Sequence, residues 1–438
     1  MKKVGLVSLG CAKNRVDSEN MLGMLRQRGF EIVNDPAEAD VLFVNTCGFI
    51  ESAKEESIDA IFEMAQYKKN GRAKKLFVTC CLAQRYPDAL MSEIPEIDGI
   101  LGVAEYSRLF EMMKAAREGE RPCYTANGAR FLNAPRLLTT PGYSAYVKIS
   151  DGCDNRCTYC AIPLIRGRYA SQPFEDIVDE CRRLAAEGVT ELTLIAQDTS
   201  RYGCDLGDGH FLLPELLEAV SDIEGVHWVR VLYCYPDSTE DRLLDTIQRL
   251  PKVAPYLDLP LQHIDDELLR RMNRRGSADW IKSRVAECHK RGIVLRTTMI
   301  VGFPGETDEQ FETLLDFVKE ARFDRLGAFT YSAEEGTVAA TMPDQVDEAV
   351  KRQRLDQLML LQQSIAMEIN QARVGSECEV LVDGFDEETG RFYGRSLLEA
   401  PESDGCIWLS AAGALTPGQY VNARITGADA YDLEAQVL

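Results

Sequence analysis

The chain has 438 residues, with 70 acidic and 49 basic side chains and a formal charge of −21, so its length suggests two or three domains. Hydrophobic residues at 45% and charged residues at 27% are globular proportions, which exclude a disordered tail protein, a collagen-like fibre and a small disulfide-stapled scaffold. The acidity argues against a broad nucleic-acid surface, because phosphate binding relies on Lys and Arg, and it favours a basic partner.

Residues 1–121 are expected to form a first domain, an open parallel α/β sheet, because short β-rich apolar runs alternate with helical patterns. Residues 4–8 predict a strand ending at Leu9-Gly10-Cys11, after which Asp17 or Ser18 is expected to cap a helix running towards Arg28. The same apolar start is too short, and too soon followed by Lys13 and Arg15, for a secretory signal. Residues 41–45 predict a second strand ending at Thr46-Cys47-Gly48, and residues 75–79 a third ending at Cys80-Cys81. Ligands of open parallel sheets collect outside the carboxyl ends of the strands, so three strands deliver thiols to one edge.

A weakly patterned stretch from about residue 122 to residue 141 leads to a second domain, residues 136–372. Strands are expected at residues 146–150, 191–195, 228–232, 256–259, 294–300 and 325–329, with helices between them at 174–187, 280–291 and 307–321. Six βα units fit a partial (β/α)6 barrel better than a closed eightfold one. Residues 348–372, with Leu355, Leu358, Leu360, Leu361 and Ile365, read as a long amphipathic helix whose apolar stripe is core packing. Residues 375–438 change to short alternating strands with turns expected at Asp383-Gly384, Thr389-Gly390, Asp404-Gly405 and Pro417-Gly418, a small antiparallel β-barrel. That last domain holds twelve acidic residues against Arg391, Arg395 and Arg424. No stretch anywhere approaches the roughly 18 apolar residues of a membrane span, so a cytoplasmic protein without a membrane partner is expected.

Fourteen cysteines in a reducing compartment point to metal binding or catalysis rather than disulfides. Cys153-Asp-Asn-Arg-Cys157-Thr-Tyr-Cys160 follows the first barrel strand and therefore stands at the barrel's carboxyl mouth. Three closely spaced thiolates can hold three irons of a cubane and leave the fourth without a protein ligand. A zinc site and ordinary buried cysteine are the alternatives, and zinc usually wants four ligands in two pairs. Cys11, Cys47 and Cys81 are distant in sequence, yet each follows a strand's carboxyl end, which makes a second three-thiol cluster site plausible beside the alternative of buried structural cysteines. Cys123, Cys181, Cys204, Cys234, Cys288, Cys378 and Cys406 stand singly and are read as structural. The chain lacks a GxxxxGK[ST] phosphate loop and an HExxH motif. His263, after the fourth barrel strand, is read as hydrogen-bonded and structural.

The CxxxCxxC loop resembles that of the radical S-adenosylmethionine superfamily. This implies that Cys153, Cys157 and Cys160 hold a [4Fe-4S] cluster whose open iron binds S-adenosyl-L-methionine, with Tyr159 near its adenine. Gln197, Asp198 and the run from Val301 through Gly302 to Glu306 stand at loop ends expected to touch that cofactor; for Gly302 and Gly305 simple turn-making is the alternative. The segments Ser8-Leu-Gly-Cys11-Ala-Lys-Asn14, Asn45-Thr-Cys47-Gly-Phe49 and Val78-Thr-Cys-Cys81-Leu-Ala-Gln84 resemble those of the methylthiotransferases, which implies a second, auxiliary [4Fe-4S] cluster on Cys11, Cys47 and Cys81. That family usually has Gly where this chain has Cys80, and Cys81 is taken as the ligand by alignment to the family pattern.

The resemblance covers all three domains, the last as a TRAM-type barrel. Within the family, the strings from Ala145 to Cys153, Ile195 to Thr199 and Arg325 to Thr337 are RimO-like. This implies methylthio transfer to the β-carbon of an aspartate in protein twelve of the small ribosomal subunit, a basic partner. The acidic last domain points the same way, since it would repel a transfer RNA backbone. By the same resemblance, one S-adenosylmethionine gives its methyl to sulfur at the auxiliary cluster. Another is cleaved reductively to a 5′-deoxyadenosyl radical, which requires an electron donor. Two alternatives stay open at this point: a MiaB-like enzyme acting on a transfer RNA adenosine, and a non-catalytic iron–sulfur electron-transfer protein.

Overall fold

The computed structural model describes residues 2–126, 128, 131–132 and 134–438. Strands β1 (Lys3–Ser8), β2 (Glu31–Val33), β3 (Val41–Thr46), β4 (Lys75–Cys80), β5 (Gly99–Leu101) and β6 (Cys123–Tyr124) form a parallel sheet in the order β2-β1-β3-β4-β5-β6. All six residues of β3 are buried, as expected of a central strand covered by helices on both faces. β3 lies between β1 and β4, with Asn45 in register with both Ser8 and Thr79. That register sets the turns carrying Cys11, Cys47 and Cys81 side by side at one sheet edge.

The first helix differs from expectation. It spans Ala12–Gln27, with Cys11 in the extended conformation at its N-cap, so Asp17 and Ser18 lie inside it and cap nothing. Both are buried and used across the fold: Ser18 shares a hydrogen bond with Ser8, while Asp17 meets Lys148 and Arg166 of the second domain. Tertiary pairing overrides the capping preference that their side chains suggest.

The second domain places β7 (Ser144–Lys148), β10 (Glu191–Ile195), β11 (Trp228–Val231), β12 (Tyr256–Asp258), β13 (Val294–Val301) and β14 (Arg325–Thr330) in two parallel sheets, β11-β10-β7 and β12-β13-β14. The two join through single bonds, such as the Cys234 amide to the Asp258 carbonyl at 2.9 Å and the Ala254 amide to the Val229 carbonyl at 2.8 Å. A short antiparallel pair, β8 (Ser150–Asp151) with β9 (Ala170–Ser171), brackets the CxxxCxxC loop. Outer helices bury one stripe each; in Phe174–Ala186 these residues are Ile177, Val178, Cys181 and Leu184. Cys181 and Cys288 are core residues, as read from the sequence. The barrel's interior cluster draws on all three domains: Tyr146, Ile195, Leu232 and Tyr256 pack with Val16 of the first helix and Ala400 of the last domain.

The helix Glu348–Ala372 leads to β15 (Glu377–Asp386), β16 (Arg391–Arg395), β17 (Ile407–Ser410), β18 (Tyr420–Ala428) and β19 (Leu433–Val437), a closed barrel ordered β15-β16-β17-β19-β18. Its pairs are antiparallel except β17 with β19. The turn expected at Asp383-Gly384 is instead a bulge within β15. A Cβ on Gly384 would stand 2.7 Å from the Tyr393 hydroxyl, while the Asp383 carboxylate is drawn to Arg395. Among the described residues no helix is long and apolar enough to cross a membrane.

Candidate metal centres

The CxxxCxxC loop is held by backbone bonds rather than by its own regular structure. The Cys153 amide donates to the Gly167 carbonyl at 3.2 Å, Cys160 to Cys157 at 3.0 Å, and Thr158 to Met272 at 3.0 Å. Gly152 has φ +74°, and a Cβ there would come within 2.1 Å of the Arg168 carbonyl, so the loop's entry requires glycine.

A cavity of about 390 Å³ opens between this loop and the edge of the first sheet, and Cys11, Cys47, Cys81, Cys153, Cys157 and Cys160 all line it. Tyr159 and Gln197 line it too. The buried Gln197 Oε1 has no hydrogen-bond partner among the described residues, an orphan acceptor beside the cavity. Cys80 does not line the cavity: it is fully buried, at φ 77° and ψ −140°, with its sulfur 3.6 Å from that of Cys81.

The electrostatics differ between the thiols. Burial pushes Cys47 up to about 11 and Cys153 up to about 12, and raises Cys160 as well. Cys81 moves down, because the Cys80 thiol hydrogen-bonds to it and because Arg166 stands nearby, while Cys80 is driven up by burial. Arg166, fully buried, donates to Asn14 Oδ1 at 2.8 Å and Asp17 at 3.1 Å, and lies 3.6 Å and 3.7 Å from the sulfurs of Cys80 and Cys81. Asp151 receives both Arg166 and Lys148, closing an ion network that joins the first two domains.

On the barrel side, the Tyr235 hydroxyl is 3.6 Å from the Cys157 sulfur. Arg274 lies over the Tyr235 ring, 4.0 Å from its centroid, and reaches the Tyr159 hydroxyl at 3.4 Å. Lys13 sits 3.1 Å from the centroid of the Tyr233 ring, and burial lowers its ammonium to about 8.

Two sequence candidates stand behind the cavity rather than on it. Asp198, raised to about 6 by burial, accepts from Asn155 Nδ2 at 2.8 Å, and Asn155 lines the cavity. Gly302, at φ +71°, has no room for a Cβ, which would meet Lys351 at 2.2 Å, and its amide donates to Glu306. Glu306 also pairs with Arg354 at 2.7 Å and with His263 at 3.2 Å. His263 Nδ1 accepts from the Asp265 amide, so Nε2 carries the proton towards Glu306; this buried histidine has the structural role read for it. These contacts fit the turn-making alternative for Gly302.

Sequence reading missed Lys13, Arg166, Arg274, Tyr235 and Cys234, all of which line the cavity. Lys13 and Arg166 lie two and six residues beyond ligand candidates, which is a usable signal. Arg274 has no local signal, since its partners Tyr159, Tyr235 and Pro260 come from distant loops.

The donor set suits iron–sulfur clusters: three thiols from each of two domains line one cavity, Cys81 buried, Cys11 exposed and the other four half-buried. Among the described residues no three Cys, His, Asp or Glu side chains gather tightly enough for a single metal ion. A cubane spreads its thiolates over separate irons and does not ask for that tight gathering.

Comparison with known proteins follows the same division. Family models match at residues 3–102 (Uncharacterized protein family UPF0004), 147–318 (Radical SAM superfamily) and 374–438 (TRAM domain). The ribosomal protein uS12 methylthiotransferase RimO of Desulforamulus reducens is 48% identical, covering 100% of both chains. The RimO of a Thermoanaerobacter species is 46% identical over 99% of each. Among solved structures, the radical S-adenosylmethionine methyltransferase TsrM from Kitasatospora setae aligns with TM-score 0.56 and 17% identity over 75% of this chain and 73% of its own. The cobalamin-dependent S-adenosylmethionine radical enzyme OxsB aligns with TM-score 0.54 and 14% identity over 82% of this chain and 56% of its own. At such identities the likeness concerns the fold alone.

Proposed function

The chain belongs to the RimO family of ribosomal protein uS12 methylthiotransferases, and we infer that it adds a methylthio group to the β-carbon of an aspartate in uS12 by radical S-adenosylmethionine chemistry. The observation that carries this reading is the convergence of two cysteine trios, from two domains, on one cavity. Cys153, Cys157 and Cys160 would hold one [4Fe-4S] cluster, and Cys11, Cys47 and Cys81 the other. When bound, these groups with S-adenosyl-L-methionine supply a methylated sulfur and a radical able to take hydrogen from an unactivated carbon, which polar acid–base groups cannot do.

The protein's own share is positioning. Tyr159 and Arg274 form one wall on which the adenosyl part would rest, Gln197 offers a free buried acceptor, and Asp198 holds Asn155 at the rim. Asp17, Asp151 and Arg166 lock the first domain against the second, which fixes the separation of the two trios. The half-buried thiols Cys47, Cys153 and Cys160, on which desolvation holds the proton, must release it to bind iron, so loading favours neutral to alkaline conditions. The reductive step needs an external electron donor.

A transfer RNA substrate is disfavoured by the last domain, where twelve carboxylates face three arginines. Of those arginines, Arg395 is buried against Glu191 and Arg424 is paired with Glu377. The test is direct. Anaerobically reconstituted protein, given S-adenosylmethionine, a reductant and recombinant uS12, should add a methylthio group to one aspartate of uS12 by mass spectrometry. Modification of transfer RNA with uS12 untouched would refute the assignment.

A further inference from the structure

We propose that the substrate protein docks on an acidic, apolar-studded saddle beside the cavity, built where the first domain meets the segment after β14. This rests on the reading that the substrate is a basic ribosomal protein.

Four large apolar side chains stand exposed there: Phe49 at 36%, Ile50 at 37%, Leu164 at 52% and Val338 at 61%. They come from three distant parts of the chain, and the contacts beneath them bring them together. The Glu51 amide donates to Glu334 Oε1 at 3.0 Å, which ties residues 49–51 to the segment carrying Val338. A Cβ on Gly336 would lie 3.2 Å from Leu164, and the Ala339 amide donates to the Thr158 carbonyl at 2.9 Å, which ties that segment to the CxxxCxxC loop. Phe49 itself lines the cavity, so the patch reaches the site.

The charge of the patch follows from how its ions are spent. Glu334 is buried and takes both nearby cations: Lys54 at 3.2 Å and Arg85 at 3.3 Å, whose side chains are only 10% and 5% exposed. Of the carboxylates on the surface, Glu51 shares Lys54 at 2.5 Å, while Glu55, Glu56 and Glu335 are exposed with no cation taken from the buried pair. Positive charge is therefore withdrawn beneath the saddle and negative charge presented above it. Large apolar side chains set in acid suit one kind of partner, a basic polypeptide segment with apolar side chains of its own. A nucleic acid backbone would be repelled.

None of these residues except Phe49 touches the cavity, so binding and chemistry separate on mutation. In the full-length reconstituted enzyme, Ile50→Ser with Val338→Ser, and separately Glu55→Lys with Glu56→Lys, should each raise the Kd for recombinant uS12 at least tenfold. Ser is a favourable N-cap at position 50, so the first variant keeps its helix. S-adenosylmethionine cleavage without substrate should match wild type in both. The loss in the Lys variant should shrink at high salt, as a charge effect must, while the Ser variant's should not. Affinities within twofold of wild type in both variants would overturn the docking surface. If the wild type neither binds nor modifies uS12, the substrate reading itself fails, a different outcome.

Discussion

The guanidinium of Arg166 lies 3.7 Å from the sulfur of Cys81, although the two residues are 85 apart and belong to different domains. One buried cation thereby touches a thiol of the first trio from the helix that follows the second. Hydrogen bonds to ligand sulfurs are one lever by which a protein sets a cluster's potential. Arg166→Met should lower the midpoint potential of the auxiliary cluster, read by redox titration with electron paramagnetic resonance, and Arg166→Lys should recover part of the shift. Removing the cation also leaves Asp17 and Asp151 with Lys148 alone, at a cost of about 3 kcal/mol in stability. An unchanged potential would show Arg166 to be structural only.

Cys80 holds a backbone conformation, φ 77° and ψ −140°, that is nearly confined to glycine. Relief of about 1–3 kcal/mol of strain exceeds the roughly 0.5–1 kcal/mol entropic cost of glycine. Cys80→Gly should therefore raise the unfolding temperature and leave the iron content unchanged. Loss of the auxiliary iron in that variant would transfer the ligand role from Cys81 to Cys80.

The last domain is clamped to the barrel through Glu191, which accepts from the two terminal guanidinium nitrogens of Arg395 at 2.9 Å and from the Ser144 hydroxyl at 2.8 Å. Burial pushes the Glu191 carboxyl up, but Arg395 outweighs it and holds the group below its ordinary value. A depressed carboxyl contributes stability that is fully present above its unfolded value of about 4.3 and fades as pH falls through the lower folded value. Stability measured by denaturant melts should thus drop on acidification below about pH 5, and Glu191→Gln should flatten that slope while weakening the protein by about 3 kcal/mol at neutral pH. Parallel slopes in the two proteins would contradict the clamp.

The two trios should fail differently. Cys157→Ala should abolish 5′-deoxyadenosine formation, read by chromatography of the reaction products. Cys47→Ala should leave some abortive cleavage but give no methylthio product. Methylthio product from either variant would refute the division of roles.

Much of this was legible in sequence because it is local or periodic. The three-domain order, the six barrel strands and the helix 348–372 follow from alternating apolar runs, and the sheet-edge cysteines from strand ends. What stayed hidden depends on partners far along the chain. Asp17 looked like a cap and is instead an interface ion, because Lys148 and Arg166 are invisible from its own neighbourhood. Asp383-Gly384 looked like a turn and is a bulge, shaped by Tyr393 and Arg395 across the ladder. Cys234, a solitary thiol in sequence, reaches the cavity because β11 ends there. Asp198 and Gly302 sit at the expected loop ends, but their immediate partners are Asn155 and Glu306.

The most direct measurement is the iron and sulfide content of anaerobically reconstituted protein, compared with the variant in which Cys11, Cys47 and Cys81 are all alanine. Two cubanes predict about eight irons per chain in the wild type and about four in the variant. A fully loaded wild type holding only about four would contradict the account.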